Sequence, residues 1–270
     1  MTTATTPIIA MDAREMENAP GHWLLARMGK KVLRPGGKKL TEKMIQALAI
    51  TDKDDVIEFA PGLGFTANLA LTHRPHSYVG VERDENAAKE ARSFISASAG
   101  NNLVVVGNAE QTELPDSCGS VVYGEAMLTM QADNRKINII REALRLLKKG
   151  GRYGIHELCL QPDELSDELK ARIQKELAQS IRVNARPLTI AEWRALFIEQ
   201  GFTIESTFTA PMHLLHTARI IEDEGLARTV QIGYNILRYP AARKRILEMK
   251  SVFDSYANHL GAISIIAVKN

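Results

Sequence analysis

Apolar and polar positions along this chain change rhythm twice. Through the first fifty residues the apolar positions recur at helical spacing. Pro20 to Lys30 reads as a short helix carrying Trp23, Leu24 and Met28, and Arg34-Pro35-Gly36-Gly37 breaks it. A second helix opening at Thr41 turns Met44, Ile45 and Leu48 inward. From there, short apolar runs alternate with amphipathic stretches. Strands are predicted at 55–59, 77–82, 102–106, 120–124 and 152–159, and helices at 65–72, 84–98 and 134–148. The last of these helices is expected to end on Lys148 and Lys149, with Gly150 after it. Strand and helix in this alternation predict a parallel sheet covered on both faces.

Beyond the fifth strand the alternation stops. Residues 162–180 read as an amphipathic helix with Leu165, Leu169, Ile173 and Leu177 on one side, and Thr189 caps a helix that Gly201 ends. Residues 202–209 and 261–268 read as two final strands. Between them lies a long insertion, 212–259. Its last helix starts at Pro240 and aligns Ile246, Met249, Phe253, Tyr256 and Leu260 in one stripe. No internal repeat or low-complexity tract interrupts the pattern.

Composition narrows the reading. A chain of 270 residues, 45% hydrophobic and 24% charged, is expected to form one large α/β domain with insertions whose core needs no staples. Its two cysteines, Cys118 and Cys159, lack metal-ligand spacing and follow no secretory signal, so a reduced cytoplasm is expected. The opening MTTATTPIIAM reads as a frayed end, and the apolar run 262–268 is too short to span a bilayer. A net charge of +2 weighs against a nucleic-acid binder.

The chemistry concentrates at VIEFAPGLGF (56–65) and YVGVER (78–83). A buried-type strand enters a glycine turn, and a second strand ends in the acid Glu82, eighteen residues after Gly64. This is the layout of a nucleotide-like ligand site at the edge of a parallel sheet. Gly62-x-Gly64-x-x-Ala67 satisfies the loose dinucleotide pattern, so two ligand types compete. A pyrophosphate would meet Glu58 as a like-charge neighbour. S-adenosylmethionine carries a sulfonium and an ammonium, which an acid favours, and Glu82 can accept from both hydroxyls of a ribose diol. Charge therefore favours the methyl donor.

At this point the chain resembles the class I S-adenosylmethionine-dependent methyltransferases, over roughly residues 40–210 plus the final strand. The resemblance rests on Glu58-Phe59-Ala60-Pro61-Gly62-Leu63-Gly64, where alanine stands for the family's usual first glycine, and on the acid Glu82 followed by Arg83. It rests also on Gly107-Asn108-Ala109-Glu110, similar to the adenine-binding stretch but with Asn for the commoner Asp. Glu125-Ala126-Met127-Leu128, Leu147 to Arg152, and Ile190 to Phe202 complete it. The flavour is that of enzymes acting on quinones, sterols and natural products.

The resemblance implies a doubly wound, mostly parallel seven-stranded sheet with helices on both faces and an antiparallel last strand. It implies one domain: a helical N-terminal lid (1–50), a cofactor-binding core (51–211), the helical insertion (212–259) and the last strand (260–270). S-adenosylmethionine is the expected cofactor, held by Glu58, Ala60, Gly62, Gly64, Glu82, Arg83, Asn108 and Ala109. The expected reaction is an in-line displacement onto a small-molecule acceptor. The alternatives are a nicotinamide-dependent oxidoreductase and a non-catalytic binder of the same donor.

His156 is the first candidate for a general base because its unperturbed pKa is near neutrality, with a structural histidine bonded to a neighbouring loop as the competing reading. Glu157 and Glu125 are further catalytic candidates. Substrate-side candidates are His22, Trp23, Met127, His213, His216 and Tyr234. The pair His213/His216 lacks a third ligand, so no metal is expected. No nucleic acid or membrane span is expected among partners, and a homodimer is open.

Overall fold

A computed structural model describes residues 13–95 and 101–270. The expected frayed end and the last turn of the helix expected at 84–98 lie outside them. Three helices lead the chain: α1 (Ala13–Asn18), α2 (Gly21–Arg27) and α3 (Gly37–Leu48). The alternating part is β1 (Asp55–Phe59), α4 (Phe65–Leu71), β2 (Ser77–Glu82), α5 (Glu85–Ile95), β3 (Asn101–Val106), β4 (Gly119–Glu125), α6 (Asp133–Leu146) and β5 (Leu147–Leu160). Then follow α7 (Asp167–Ile181), β6 (Leu188–Thr189), α8 (Ile190–Glu199), β7 (Phe202–Pro211), α9 (Thr217–Glu224), α10 (Leu226–Arg238), α11 (Pro240–Ser255) and β8 (Leu260–Lys269).

The sheet runs β3-β2-β1-β4-β5-β8-β7, with the two-residue β6 added beside β5. Strands β1 to β5 pair in parallel, and β8 is antiparallel to both β5 and β7. The chain winds outward from β1 to β3 and then returns to place β4 on the other side of β1. The carboxyl ends of β1 and β4 therefore flank the switch point where ligands of such sheets bind.

Each sheet face buries one core. Ile57, Phe59, Ile140, Tyr153, Trp193 and Phe197 gather under α6 and α8, while Leu48, Val56, Tyr78, Tyr123 and Ile266 gather under α3, α4 and α5. A third core lies beyond the end of β5. It joins Leu24 of α2 and Met28 at its end, Leu177 of α7, and Ile246, Met249 and Phe253 of α11. The stripe foreseen on the last helix of the insertion thus faces this core.

Three boundaries differ from expectation. Helix α6 stops at Leu146, and Lys148 to Gly151 open β5. Leu147 is buried and Lys148 reaches Asp55 at 2.6 Å, so tertiary partners claim these residues before a helical turn can. Gly150, at φ +75°, absorbs the register shift against β4. Helix α3 begins at Gly37 because Asp223 of α9 accepts from Lys38 N at 2.8 Å, a cap supplied from far along the chain. Helix α7 begins later than expected, behind the Ser166 cap.

Arg245 ties the first and last helices together. It is 4% exposed, and its guanidinium donates to the carbonyls of Met16, Glu17, Ala19 and Ser180, the closest at 2.7 Å. These carbonyls end α1 and lie in the last turn of α7. Arg245→Met keeps the stem but strands four acceptors, and is expected to cost about 2–4 kcal/mol. Equilibrium urea unfolding measures it, and a loss below about 0.5 kcal/mol would mean that water serves these carbonyls equally well.

Candidate functional site

The loops after β1, β2, β3 and β4 line a cavity of about 500 Å³, part of it open to solvent. Ala60, Glu82, Arg83, Asn108 and Ala109 line it together with Met127 and Gln131. Glu82, 8% exposed, accepts from Gly62 N at 3.3 Å and from Asp84 N at 3.1 Å, which fixes its carboxylate at the tip of β2. Asn108 is oriented by accepting from Glu110 N at 3.1 Å. The turn between β1 and α4 uses left-handed backbone at Ala60 (φ +53°), Gly62 (+52°) and Gly64 (+72°). A side chain on Gly62 would meet nothing nearer than 3.9 Å, so backbone angle rather than crowding requires glycine there. Ala60 accepts the same angle at about 1 kcal/mol. Gly64 caps α4.

Glu58 corrects the electrostatic expectation. Strand alternation sends Ile57 and Phe59 to one core and Glu58 to the opposite one, where it is 3% exposed. Its Oε2 accepts from the hydroxyls of Tyr78 and Tyr123, the latter at 2.7 Å. Burial outweighs both bonds and raises its pKa to about 7. It does not line the cavity, and its acidity is spent inside the protein.

Glu125, at the end of β4, gathers a second network. Arg34 approaches its Oε2 at 2.8 Å, Thr41 donates to Oε1 at 2.7 Å, and Thr66 of α4 donates to Oε2. Arg34 also donates to Thr66 at 2.5 Å and lies over the Phe65 ring. Burial would raise the Glu125 pKa, but Arg34, His156 and Thr41 overcome it and hold it at about 2. His156 is fully buried here. Its Nδ1 is 2.8 Å from Glu125 Oε1, and its Nε2 meets the Pro35 carbonyl. Both partners accept, so neither ring nitrogen is left to take a proton from a substrate. The geometry corrects the general-base expectation for His156 in favour of the loop-bonded structural histidine. Glu125 likewise serves the network.

Glu157 faces the other side of β5, as strand alternation requires. Its carboxylate accepts from the backbone N–H of Met127, Leu128 and Thr129 at 2.9, 2.7 and 3.0 Å, and from the Thr129 hydroxyl at 2.7 Å. Burial raises its pKa against these four donors. Every oxygen is engaged, so the expectation of a catalytic acid gives way to a clamp on the loop after β4.

That loop divides two cavities. Met127 and Gln131 face the one described above. Ala126, Thr129 and Met130 face a second, of about 730 Å³ and partly open to solvent. Its remaining wall is mostly apolar: Leu25, Leu33, Leu158, Leu177, Ile181, Met212, Leu214, Met249 and Phe253. His22 also lines it, and burial lowers the His22 pKa, favouring the neutral ring.

The other substrate-side expectations divide. Met127 belongs to the smaller cavity. Trp23 does not line either cavity and packs its ring 5.4 Å from His22. His213 and His216 stack on each other at 4.4 Å, and His216 reaches Asp254 at 3.0 Å, while their neighbours Met212 and Leu214 point inward instead. Tyr234 is 63% exposed on α10, away from both cavities, which removes it from the site. Sequence reasoning missed Arg34, Thr41, Thr66, Thr129 and Gln131. Only Thr66, in the first turn behind the glycine loop, carried a positional signal.

A family model described as "Methyltransferase domain" matches residues 56–151. An uncharacterized protein of Haemophilus influenzae is 32% identical over 252 residues, 92% of this chain and 98% of that one. The 27-O-demethylrifamycin SV methyltransferase of Amycolatopsis mediterranei is 24% identical over 170 residues, 62% of this chain and 61% of that one. In fold, the chain is similar to phosphoethanolamine N-methyltransferase 2 of Haemonchus contortus, solved in complex with S-adenosyl-L-methionine. The TM-score is 0.69 at 16% identity, over 97% of this chain and 61% of that one.

Glu58 gives a pH test of the buried arrangement. Its pKa rises on folding from an ordinary 4.5 to about 7. The folded state therefore holds the extra proton, and the associated stability is full below about 4.5 and lost as pH rises through about 7. Glu58→Gln keeps an amide oxygen for both tyrosine hydroxyls and removes the titration. Its urea midpoint is expected to lose that decline and to exceed the wild type at about pH 8. Parallel curves for the two proteins across this range would refute the assignment.

Proposed function

The chain belongs to the class I S-adenosylmethionine-dependent methyltransferases, and from that membership we propose that it transfers a methyl group to a small apolar acceptor by in-line displacement. S-adenosylmethionine is the cofactor of this family. The observation that carries the proposal is the pair of cavities on either side of loop 126–131, one lined by polar and apolar groups in similar measure and one mostly apolar.

The residues around the smaller cavity fit the cofactor. Glu82 has its carboxylate pre-set by two backbone donors at the tip of β2, suited to a vicinal diol. Asn108 and Ala109 would flank the base. Arg34, Thr66 and Glu125, bonded to one another between the glycine loop and β4, brace the loops on that side. When bound, the cofactor supplies a methyl carbon on a sulfonium that departs as a neutral thioether.

The larger cavity suits an acceptor without phosphate or carboxylate. Among the described residues no lysine or arginine lines it, and the one carboxylate that does, Glu157, is saturated by four donors. Its walls would orient the acceptor and exclude water, which accounts for much of the rate of such a displacement. His22, neutral and facing the cavity, takes over from His156 as the group to receive a proton where the nucleophile is a hydroxyl.

The test uses donor carrying a labelled methyl group and a panel of apolar phenols and enols. Label is expected to move to an organic-extractable product. His22→Ala is expected to lower kcat for phenols about tenfold or more while leaving donor affinity unchanged. Glu82→Ala is expected to weaken donor binding at least about tenfold, read by titration calorimetry and by loss of donor-induced thermal stabilisation. Donor that binds but never yields labelled product would reduce the protein to a binder. Unchanged affinity in Glu82→Ala would remove the assigned cofactor site.

A further inference from the structure

Helix α10 is apolar on the side that faces away from the protein. Its inner face buries only Ile232 and Asn235, whose Nδ2 donates to Met28 O at 3.0 Å. Its outer face carries Leu226, Val230, Tyr234 and Leu237, exposed by 67, 64, 63 and 66%. At about 100° per residue these four fall within one narrow sector of the helix, and no charged residue of α10 falls among them. Scattered exposed leucines need no account, but an aligned row of this kind does.

Charge is uneven in the same region. Residues 226–250 contain six Lys and Arg against one Glu, and all but the buried Arg245 reach the surface, although the whole chain has 34 basic and 32 acidic residues, so the remainder is net acidic. Arg238 at the end of α10, and Arg243 and Lys244 in the first turn of α11, are exposed, with the exposed Leu247 one turn further on. A second copy is a poorer occupant than a surface of lipid. A helix of 13 residues is about 20 Å long and about 10 Å wide, so its face offers a few hundred Å², whereas a stable dimer buries about 800 Å² per partner.

We propose that α10 docks this protein on an anionic membrane surface. The row Leu226, Val230, Tyr234 and Leu237 enters the boundary between headgroups and acyl chains, and Arg238, Arg243 and Lys244 meet the anionic headgroups. No helix among the described residues is long and apolar enough to cross a membrane, so the contact is interfacial. Through Asn235 and Ile232, α10 rests on the turn after α2, and α2 supplies Gly21, His22 and Leu25 to the larger cavity. Docking would set that cavity beside the phase into which apolar acceptors partition, a consequence that rests on the methyltransferase reading.

Flotation of the full-length protein with vesicles tests this, using phosphatidylcholine alone and phosphatidylcholine mixed with phosphatidylglycerol. The wild type is expected to float with the mixed vesicles and to be released as salt rises. The variant Leu226→Ser/Val230→Ser/Leu237→Ser is expected to lose binding about tenfold or more. Its melting temperature and donor-induced stabilisation should be unchanged, because the replaced side chains are exposed. Arg238→Gln/Lys244→Gln should erase the preference for the anionic vesicles. Wild type that ignores both vesicles, or a triple variant that floats equally well, would overturn the proposal. So would a wild-type dimer that the triple variant dissolves, which would assign the row to a second copy. Donor titration on the same samples reads the cofactor site independently, so its failure would be distinguishable.

Discussion

One buried carboxylate organises the site. Glu157 is fully buried, and burial alone would drive it toward its neutral form. Three consecutive backbone N–H groups and one hydroxyl converge on it from the loop after β4. The exchange is reciprocal. An acid without those donors would be a costly buried charge, and N–H groups without the acid would be unsatisfied inside the protein. Both are stable only in one arrangement, so the loop has one arrangement. Its position then separates a cavity of mixed lining from a mostly apolar one.

A second acid fixes the other end of the same loop. Glu125 is kept ionised against burial by Arg34, His156 and Thr41, which come from the preface, β5 and α3. His156 passes the constraint on to the Pro35 carbonyl. The preface is thereby fastened to the sheet through polar bonds at the switch point, in addition to its apolar packing on α7 and α11. Networks of this kind specify geometry more than they add stability, since each bond replaces one to water.

Much of this was legible in the sequence, and the limits have physical causes. The spans of β1 and β2 follow from apolar runs closed by glycine and acid, signals that are local. Among the cavity residues, Glu82 follows from its place at the end of the second strand, whereas Ala60, Arg83, Asn108 and Ala109 follow from the family resemblance. Glu58 misled because a residue inside a strand is aimed by the pleat, one position decides the face, and that face belonged to two tyrosines. His156 misled because the carbonyl that closes it lies over a hundred residues earlier, at Pro35. The end of α6 was misplaced because Lys148 answers to Asp55 rather than to the helix dipole. In each case a partner distant in sequence overrode a local rule.

The larger cavity shows the same limit in its strongest form. Its walls come from α2, the segment before α3, β5, α7, the residues after β7, and α11. No short motif could encode it, because these pieces are spread from α2 to α11 and meet only by folding. What the sequence does carry is their common character: each contributes apolar side chains at helical or strand spacing. The third core and the cavity are built from the same set, with Leu177 and Met249 serving both. A wall that doubles as core cannot be widened without loss of packing. Acceptor choice on the proposed reading is therefore tied to the stability of the α2–α7–α11 assembly. Changes in acceptor should come through volume-conserving exchanges at such positions rather than through truncation.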